Sequence, residues 1–418
     1  TIRPSPRPSP RCAGRGSFVI IFLSLTGCAT GLSAARRAEL EADAQPALAA
    51  LQAANFDDAR KLSAESLKRE PENSRAAGVS ALAIYRQAIH NFATDALTIA
   101  SSFVASALLR GDVINKDFLT FMLDRADKKL GEVDAALAVA EKDPGFSLEL
   151  CLACWEVDWN RSGEIDERDR RLLEIERDAN NQPLAEDDSK RRPTFRFDVA
   201  DVAWLRAMVH FQRAVLAVGG AYDPNITFAS RNKEKLLLKL HDPAKLLAAR
   251  DFALTGLTHA ARCRQLVLAE VDDDREWLPH PRQKSHAMPL EVDDALFETW
   301  AGVLGDVEKL LRGQEGLSVA QLVQLGNHQW ENPPGGYLDF GALLTEPRDL
   351  TFAQGELRQL RRSDPGAVSE FLGRVLGPAY KGQMPPSPLI DRLQRMRKEI
   401  DRGEDTIERK LRYLLWLN

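Results

Sequence analysis

Residues 38–71 read AELEADAQPALAALQAANFDDARKLSAESLKREP. Leu40, Ala47, Leu48 and Leu51 recur at three- and four-residue spacings, and Phe56, Ala59, Leu62, Ser66 and Leu67 do so again. That is the period of a helix with one apolar face. Asn55 separates the two runs, and Pro71, which has no amide hydrogen to donate, stops the second. The stretch therefore predicts two helices joined by a short turn.

The helical pattern extends toward the C terminus. Between 84 and 109 the small residues Ala88, Ala93, Ala96, Ala100, Ala105 and Ala107 allow close helix approach, and 118–139 continues the pattern until Asp143-Pro144 ends the block. A helix is expected over Phe146–Val157. A polar stretch then reads as an exposed connection and places the main boundary at 178–197. Beyond it, Asp198 is positioned to cap a helix carrying Val202, Leu205, Val209 and Val215, with Asp201 at its third position. Further helices are expected at 233–240, 244–271, 291–312, 318–325, 367–376 and 388–416. Strict alternation of β-branched and polar residues persists nowhere over several turn-bounded segments, so the expected fold class is all-α, built from antiparallel helix hairpins.

The helix, turn, helix and Pro71-Glu72-Asn73 order resembles one tetratricopeptide-type repeat, with Phe56, Ala59, Leu67 and Pro71 at the aromatic, small, apolar and terminating positions. The first helix lacks that family's Trp and Leu-Gly residues, which keeps a generic helical hairpin open. The resemblance covers the region 37–145 and implies stacked hairpins offering a concave surface to a protein or peptide partner.

The N terminus carries an address. Arg3, Arg7, Arg11 and Arg15 precede the apolar run Ser17–Ser24, which is too short to span a bilayer as a mature helix. The run ends in Leu25-Thr26-Gly27-Cys28, which resembles the bacterial lipobox. The resemblance implies a signal peptide over 1–27, lipidation of Cys28, a tether over 28–36 and anchorage to a membrane through acyl chains alone. Ala29 implies sorting to an outer membrane, facing the periplasm. An ordinary cleaved signal or a short anchor helix is the alternative.

Asp158-Trp-Asn160-Arg-Ser162-Gly163-Glu164-Ile165-Asp166-Glu-Arg-Asp169 resembles an EF-hand-type calcium loop within a helix-loop-helix over 146–177. The resemblance implies side-chain oxygens from Asp158, Asn160, Ser162, Asp166 and Asp169 and the carbonyl of Glu164 around one calcium ion, with Gly163 supplying the tight turn. Asp169 stands where the family most often has Glu. Arg161, Arg168, Arg170 and Arg171 add positive charge, so the expected affinity is weak, about 10⁻⁴ to 10⁻³ M. A solvated turn capped by its own Asp and Asn side chains is the alternative.

Composition bounds the rest. The 418 residues hold 56 Lys and Arg against 61 Asp and Glu, a net charge of −5, so no global basic field recruits nucleic acid. Cys151 and Cys154 form C-x-x-C, expected as buried small residues, with a redox pair or a disulfide as the alternatives. Cys263 and His259, one helical turn apart, are too few ligands for zinc. Phosphate-loop, dinucleotide, serine-hydrolase and zinc-protease motifs are absent from the sequence, and no nucleophile pairs with a base by spacing. The expected function is a membrane-tethered, calcium-binding interaction scaffold of the bacterial envelope. The alternative is an envelope enzyme, of cell-wall or redox type, whose site the sequence does not reveal.

Overall fold

The computed structural model describes residues 33–109, 116–155, 158, 162–166, 169, 174–178, 182–222, 235–271, 275–284, 286, 293–325, 334–353 and 364–400. The chain is mostly helical, with few and short strands, as its hydrophobic period predicts. Helix α1 (Ala34–Gln52) and α2 (Phe56–Arg69) are the pair expected from residues 38–71. Asn55 caps α2 by accepting from the amide of Asp58, and Asp57 and Asp58 complement the positive end of the helix dipole. Asp43 on α1 bonds Ser66 and Arg69 on α2, so the two helices run antiparallel.

The residues after Pro71 do more than end a helix. Asn73 is fully buried; its amide donates to the Leu40 carbonyl at 3.0 Å, and its Oδ1 caps α3 (Ser74–Leu109) through the Ala76 amide at 3.1 Å. One side chain thus closes the hairpin and starts the next helix. Helix α4 (Lys116–Ala140) packs on α3, then α5 (Val199–Ala221) on α4 and α6 (Pro243–Ala269) on α5, forming a layer of antiparallel neighbours.

Three expectations are corrected. The segment expected as a helix over 146–157 instead opens with strand β1 (Ser147–Leu150), in which Leu148 and Leu150 are buried while Glu149 is exposed, followed by a 3₁₀ turn at Leu152–Cys154. Its partner is β2 (Phe195–Asp198), antiparallel, with Leu148 opposite Phe197 and Leu150 opposite Phe195. A two-residue period this short is overridden or rescued only by a partner strand, and that partner lies far along the chain. The residues expected as a helix over 233–240 contain β3 (Lys235–Leu238).

The third correction concerns the connection over 178–197, which does not divide the core. A single buried cluster includes Leu51, Leu82, Val133, Phe146, Phe195, Phe197, Val202 and Trp277. Phe195 and Phe197 face inward from what reads in sequence as a polar linker. Glu174 grips Arg191 and Arg192, each at 2.7 Å, and so ties the two ends of the polar segment together.

The remaining elements are smaller. Helix α7 (Asp294–Leu311) packs on α6, with Trp300 edge-on to Trp204 of α5 at 5.5 Å between ring centroids. Strands β4 (Leu317–Ser318), β5 (Tyr337–Leu338) and β7 (Tyr380–Lys381) form one small sheet, and β3 pairs with β6 (Leu350–Ala353) in another. Helices α8 (Val319–Leu325), α9 (Phe340–Thr345), α10 (Pro365–Leu376) and α11 (Leu389–Ile400) complete the described chain. Asp306 of α7 accepts from Arg392 of α11 at 2.8 Å and fastens that region together.

Candidate functional site

The loop over 158–169 is held by its own polar groups. Asp158 accepts from the amides of Ser162 at 3.0 Å and Gly163 at 2.8 Å, which curls the chain round its carboxylate. Gly163 has φ +89°, the left-handed region that the loop reading assigns to it. The Ser162 hydroxyl donates to the Glu164 carbonyl at 2.8 Å. Asp166 and Asp169 each accept from the other's amide, at 3.2 and 3.1 Å, and Asp169 is buried. Asn160 lies outside the described residues, as do Arg161, Arg168, Arg170 and Arg171.

Titratable groups converge elsewhere, on the layer of α4, α5 and α6. Asp127 and Asp134 on α4 and Glu141, just past its C-terminal end, recur every seven residues and face Arg213, His210 and Arg206 of α5, which are spaced as one helix face. Arg213 bonds Asp127 at 2.8 Å, and Arg206 bonds Asp134 at 2.7 Å and Glu141 at 2.5 Å. His210 Nε2 lies 3.4 Å from Asp134 Oδ1, too poorly aligned for a hydrogen bond. His259 of α6 stacks on His210, with centroids 5.5 Å apart and planes within 14°. Asp134, His210 and His259 each offer one ligand atom within 4.8 Å of the others.

Electrostatics divides the roles in this cluster. Burial pulls the Asp134 carboxyl upward, but His210 and the Arg206 guanidinium outweigh it and hold the group well below the usual carboxylate range. Burial, reinforced by the charge of Arg206, depresses His259, so its ring is neutral at pH 7. The arrangement sets an ionised carboxylate beside an uncharged imidazole.

A second convergence lies where β2 meets α5. Asp198 caps α5 as its sequence position predicts, accepting from the Ala200 and Asp201 amides, and Asp201 reciprocates by accepting from the Asp198 amide. Asp198, Glu270 and Glu276 present oxygens within 4.8 Å of one another, and Gln283, from the loop after His280, donates to Glu276. Burial and the charges of Asp198, Glu276 and Asp201 push Glu270 up to about 10. Burial, with Asp198 beside it, also raises Asp201 well above its ordinary value. Protons are therefore retained here at neutral pH. Cys263 is buried against the same group, and burial raises its thiol.

Sequence reasoning missed both clusters. By sequence alone His259 and Cys263 are too few ligands, and Asp198 and Asp201 read only as a cap; their partners come from helices and loops far along the chain. Of the C-x-x-C alternatives the structure has the disulfide, between Cys151 and Cys154, and not a pair of buried small residues. The 3₁₀ turn between them, closed by the Cys154 amide on the Cys151 carbonyl at 3.0 Å, brings residues three apart onto one side, and Cys154 is exposed rather than buried. Cys28 lies outside the described residues. Among the described residues no helix is long and apolar enough to cross a membrane. No protein-family model, curated protein or solved structure matches the chain.

Proposed function

We propose that this chain is an exported, lipid-anchored helical protein of the bacterial envelope that docks a protein or peptide partner on its helix layer. One end of that layer carries the docking reading. Phe121 on α4, Val215 and Val218 on α5 and Leu247 on α6 are 57%, 71%, 41% and 46% exposed. The Asp124–Lys245 ion pair at 2.9 Å and the approach of Gly219 to Leu123 bring these helix ends together. Large apolar side chains held in water at one place favour association.

Other features support parts of the reading. The α1–α2 hairpin, closed by Asn73, is consistent with a tetratricopeptide-like unit. The Cys151–Cys154 disulfide suits an oxidising compartment outside the cytoplasm. The turn of Asp158, Ser162 and Gly163 is compatible with a calcium loop, in which Asp158, Ser162, Asp166, Asp169 and the Glu164 carbonyl, together with Asn160, would hold the ion. The lipid anchor rests on Leu25–Cys28 alone.

A photo-crosslinking side chain at Val215, compared with one at Leu393, tests the docking surface in cells. Capture of the same protein from position 215 only, abolished by Phe121→Glu, supports the reading; equal capture from both positions removes it. For the anchor, Cys28→Ser releases the protein into the soluble fraction, and mass spectrometry finds acyl chains on the N-terminal peptide of the unmodified sequence. An unmodified Cys28 rejects the anchor.

A second reading, an envelope enzyme, is favoured by the convergence of Asp134, His210 and His259. Turnover of a cell-wall fragment or a dithiol substrate that disappears in His259→Gln would select it over the scaffold.

A further inference from the structure

We infer that Asp134, His210 and His259 form a binding site for a divalent transition-metal ion of the zinc class, with one coordination position left for water or an incoming ligand. The site stands apart from the docking surface and from the loop over 158–169, and it depends on neither.

Three helices each supply one ligand. Asp134 comes from α4, His210 from α5 and His259 from α6, and their donor atoms lie within 4.8 Å of one another. Donors around an ion that binds nitrogen and oxygen at about 2.0–2.2 Å are separated by no more than about twice that bond length. A modest closure of side chains would bring the three to one centre.

His210 gives the observation independent of this convergence. Its side chain is 8% exposed, and neither ring nitrogen has a hydrogen-bond partner. A buried imidazole left unsatisfied is costly, and native proteins rarely tolerate it without a purpose. A metal ion would use one of those nitrogens. The Asp134 oxygen 3.4 Å away, too poorly aligned to accept a hydrogen bond, lies where a second ligand should be.

The neighbours suit this role. Arg206 does not cancel the site's charge, because Glu141 shares it; a guanidinium bonded to both carboxylates orients Asp134 as an outer partner of the ligand. Phe252 packs beside His210 with centroids 6.0 Å apart, and the Arg213 guanidinium lies over the Phe252 ring at 4.1 Å. Two imidazoles and one carboxylate are a borderline donor set. It selects zinc, cobalt or nickel over calcium or magnesium, which require oxygen shells. Three protein ligands are the number found at open zinc sites, as against four at closed structural ones.

The test uses the untagged full-length protein, stripped with a chelator and titrated with cobalt(II) and zinc. The expected result is one equivalent of cobalt with the visible absorption of a low-coordinate complex, displaced by zinc and not by calcium. His259→Gln and Asp134→Asn each weaken zinc binding by at least about 100-fold, more than loss of an outer partner does, while His280→Gln leaves it unchanged. Undiminished binding in both ligand variants, or no binding in the unmodified protein, overturns the proposal. If a variant fails to fold, X-ray absorption of the zinc-loaded unmodified protein decides: a shell containing two imidazoles supports the site, and a shell of oxygens only overturns it.

Discussion

Arg206 and Asp134 meet at 2.7 Å across the α4–α5 interface, and the same guanidinium reaches Glu141, seven residues on and just past the end of α4. The Arg206 and Asp134 side chains are 15% and 20% exposed, so this pair is largely shielded from water. It joins two helices at a fixed point along their lengths. Arg213 on Asp127 and Lys245 on Asp124 continue the same ladder toward the apolar end of the layer.

Arg206→Leu is expected to destabilise the protein by about 3 kcal/mol at pH 7, because two carboxylates lose their common partner. The folded-state Asp134 is depressed, so its contribution is present above the unfolded value of about 3.9 and is lost as pH falls through the folded one. The melting-temperature difference between variant and unmodified protein should therefore narrow in acid. An equal melting temperature at pH 7 would contradict the ladder.

Glu270→Gln should act in the opposite direction. Its carboxyl is raised from 4.5 to about 10, so the folded state retains a proton that the unfolded chain releases, and this contribution is lost as pH rises across that interval. The amide cannot ionise. The variant should melt higher than the unmodified protein at pH 8, with the advantage disappearing near pH 4. Thermal scans at both values check it; a lower melting temperature at pH 8 would place an ionised, compensated carboxylate at this position.

Calcium at about ten times its dissociation constant should stabilise the protein by roughly 1.4 kcal/mol. Asp158→Ala and Asp169→Ala should each abolish the calcium heat in titration calorimetry. They should also lower the metal-free melting temperature: Asp158 accepts two loop amides and Asp169 is buried on the Asp166 amide, bonds of about 1 kcal/mol each. The sequence alone predicts no metal-free effect. No heat at millimolar calcium in the unmodified protein would leave only a capped turn.

Gly256→Ala should destabilise by about 1–3 kcal/mol. A Cβ there would meet the Phe211 ring at 2.6 Å and the Ala207 carbonyl at 3.1 Å, where α6 packs against α5. Chemical denaturation measures the loss. A neutral substitution would mean that Phe211 can swing aside without disturbing His210 beside it.

Local chemistry made most helices legible. The period of Leu40 to Leu67, the break at Asn55, the stop at Pro71 and the cap at Asp198 act within a few residues, and each has the role its position predicts; that Asn55 also caps α2 is seen only in the structure. The turn at Gly163 is likewise a property of a few consecutive residues. Phe146–Val157 was misread because Leu148 and Leu150 become a strand only against Phe195 and Phe197, more than forty residues away in sequence.

What the sequence by itself determined is therefore the mostly helical class, the hairpin at its start and the caps that bound its helices, since hydrophobic period and backbone satisfaction are short-range. Tertiary structure alone decided the rest. Asp134, His210 and His259 are ordinary residues on three separate helices, and Asp198, Glu270 and Glu276 are a cap and two isolated acids, until packing sets them within 4.8 Å. A convergence of that kind leaves no spacing in the chain, because helix packing, which depends on every buried side chain at once, chooses which faces meet.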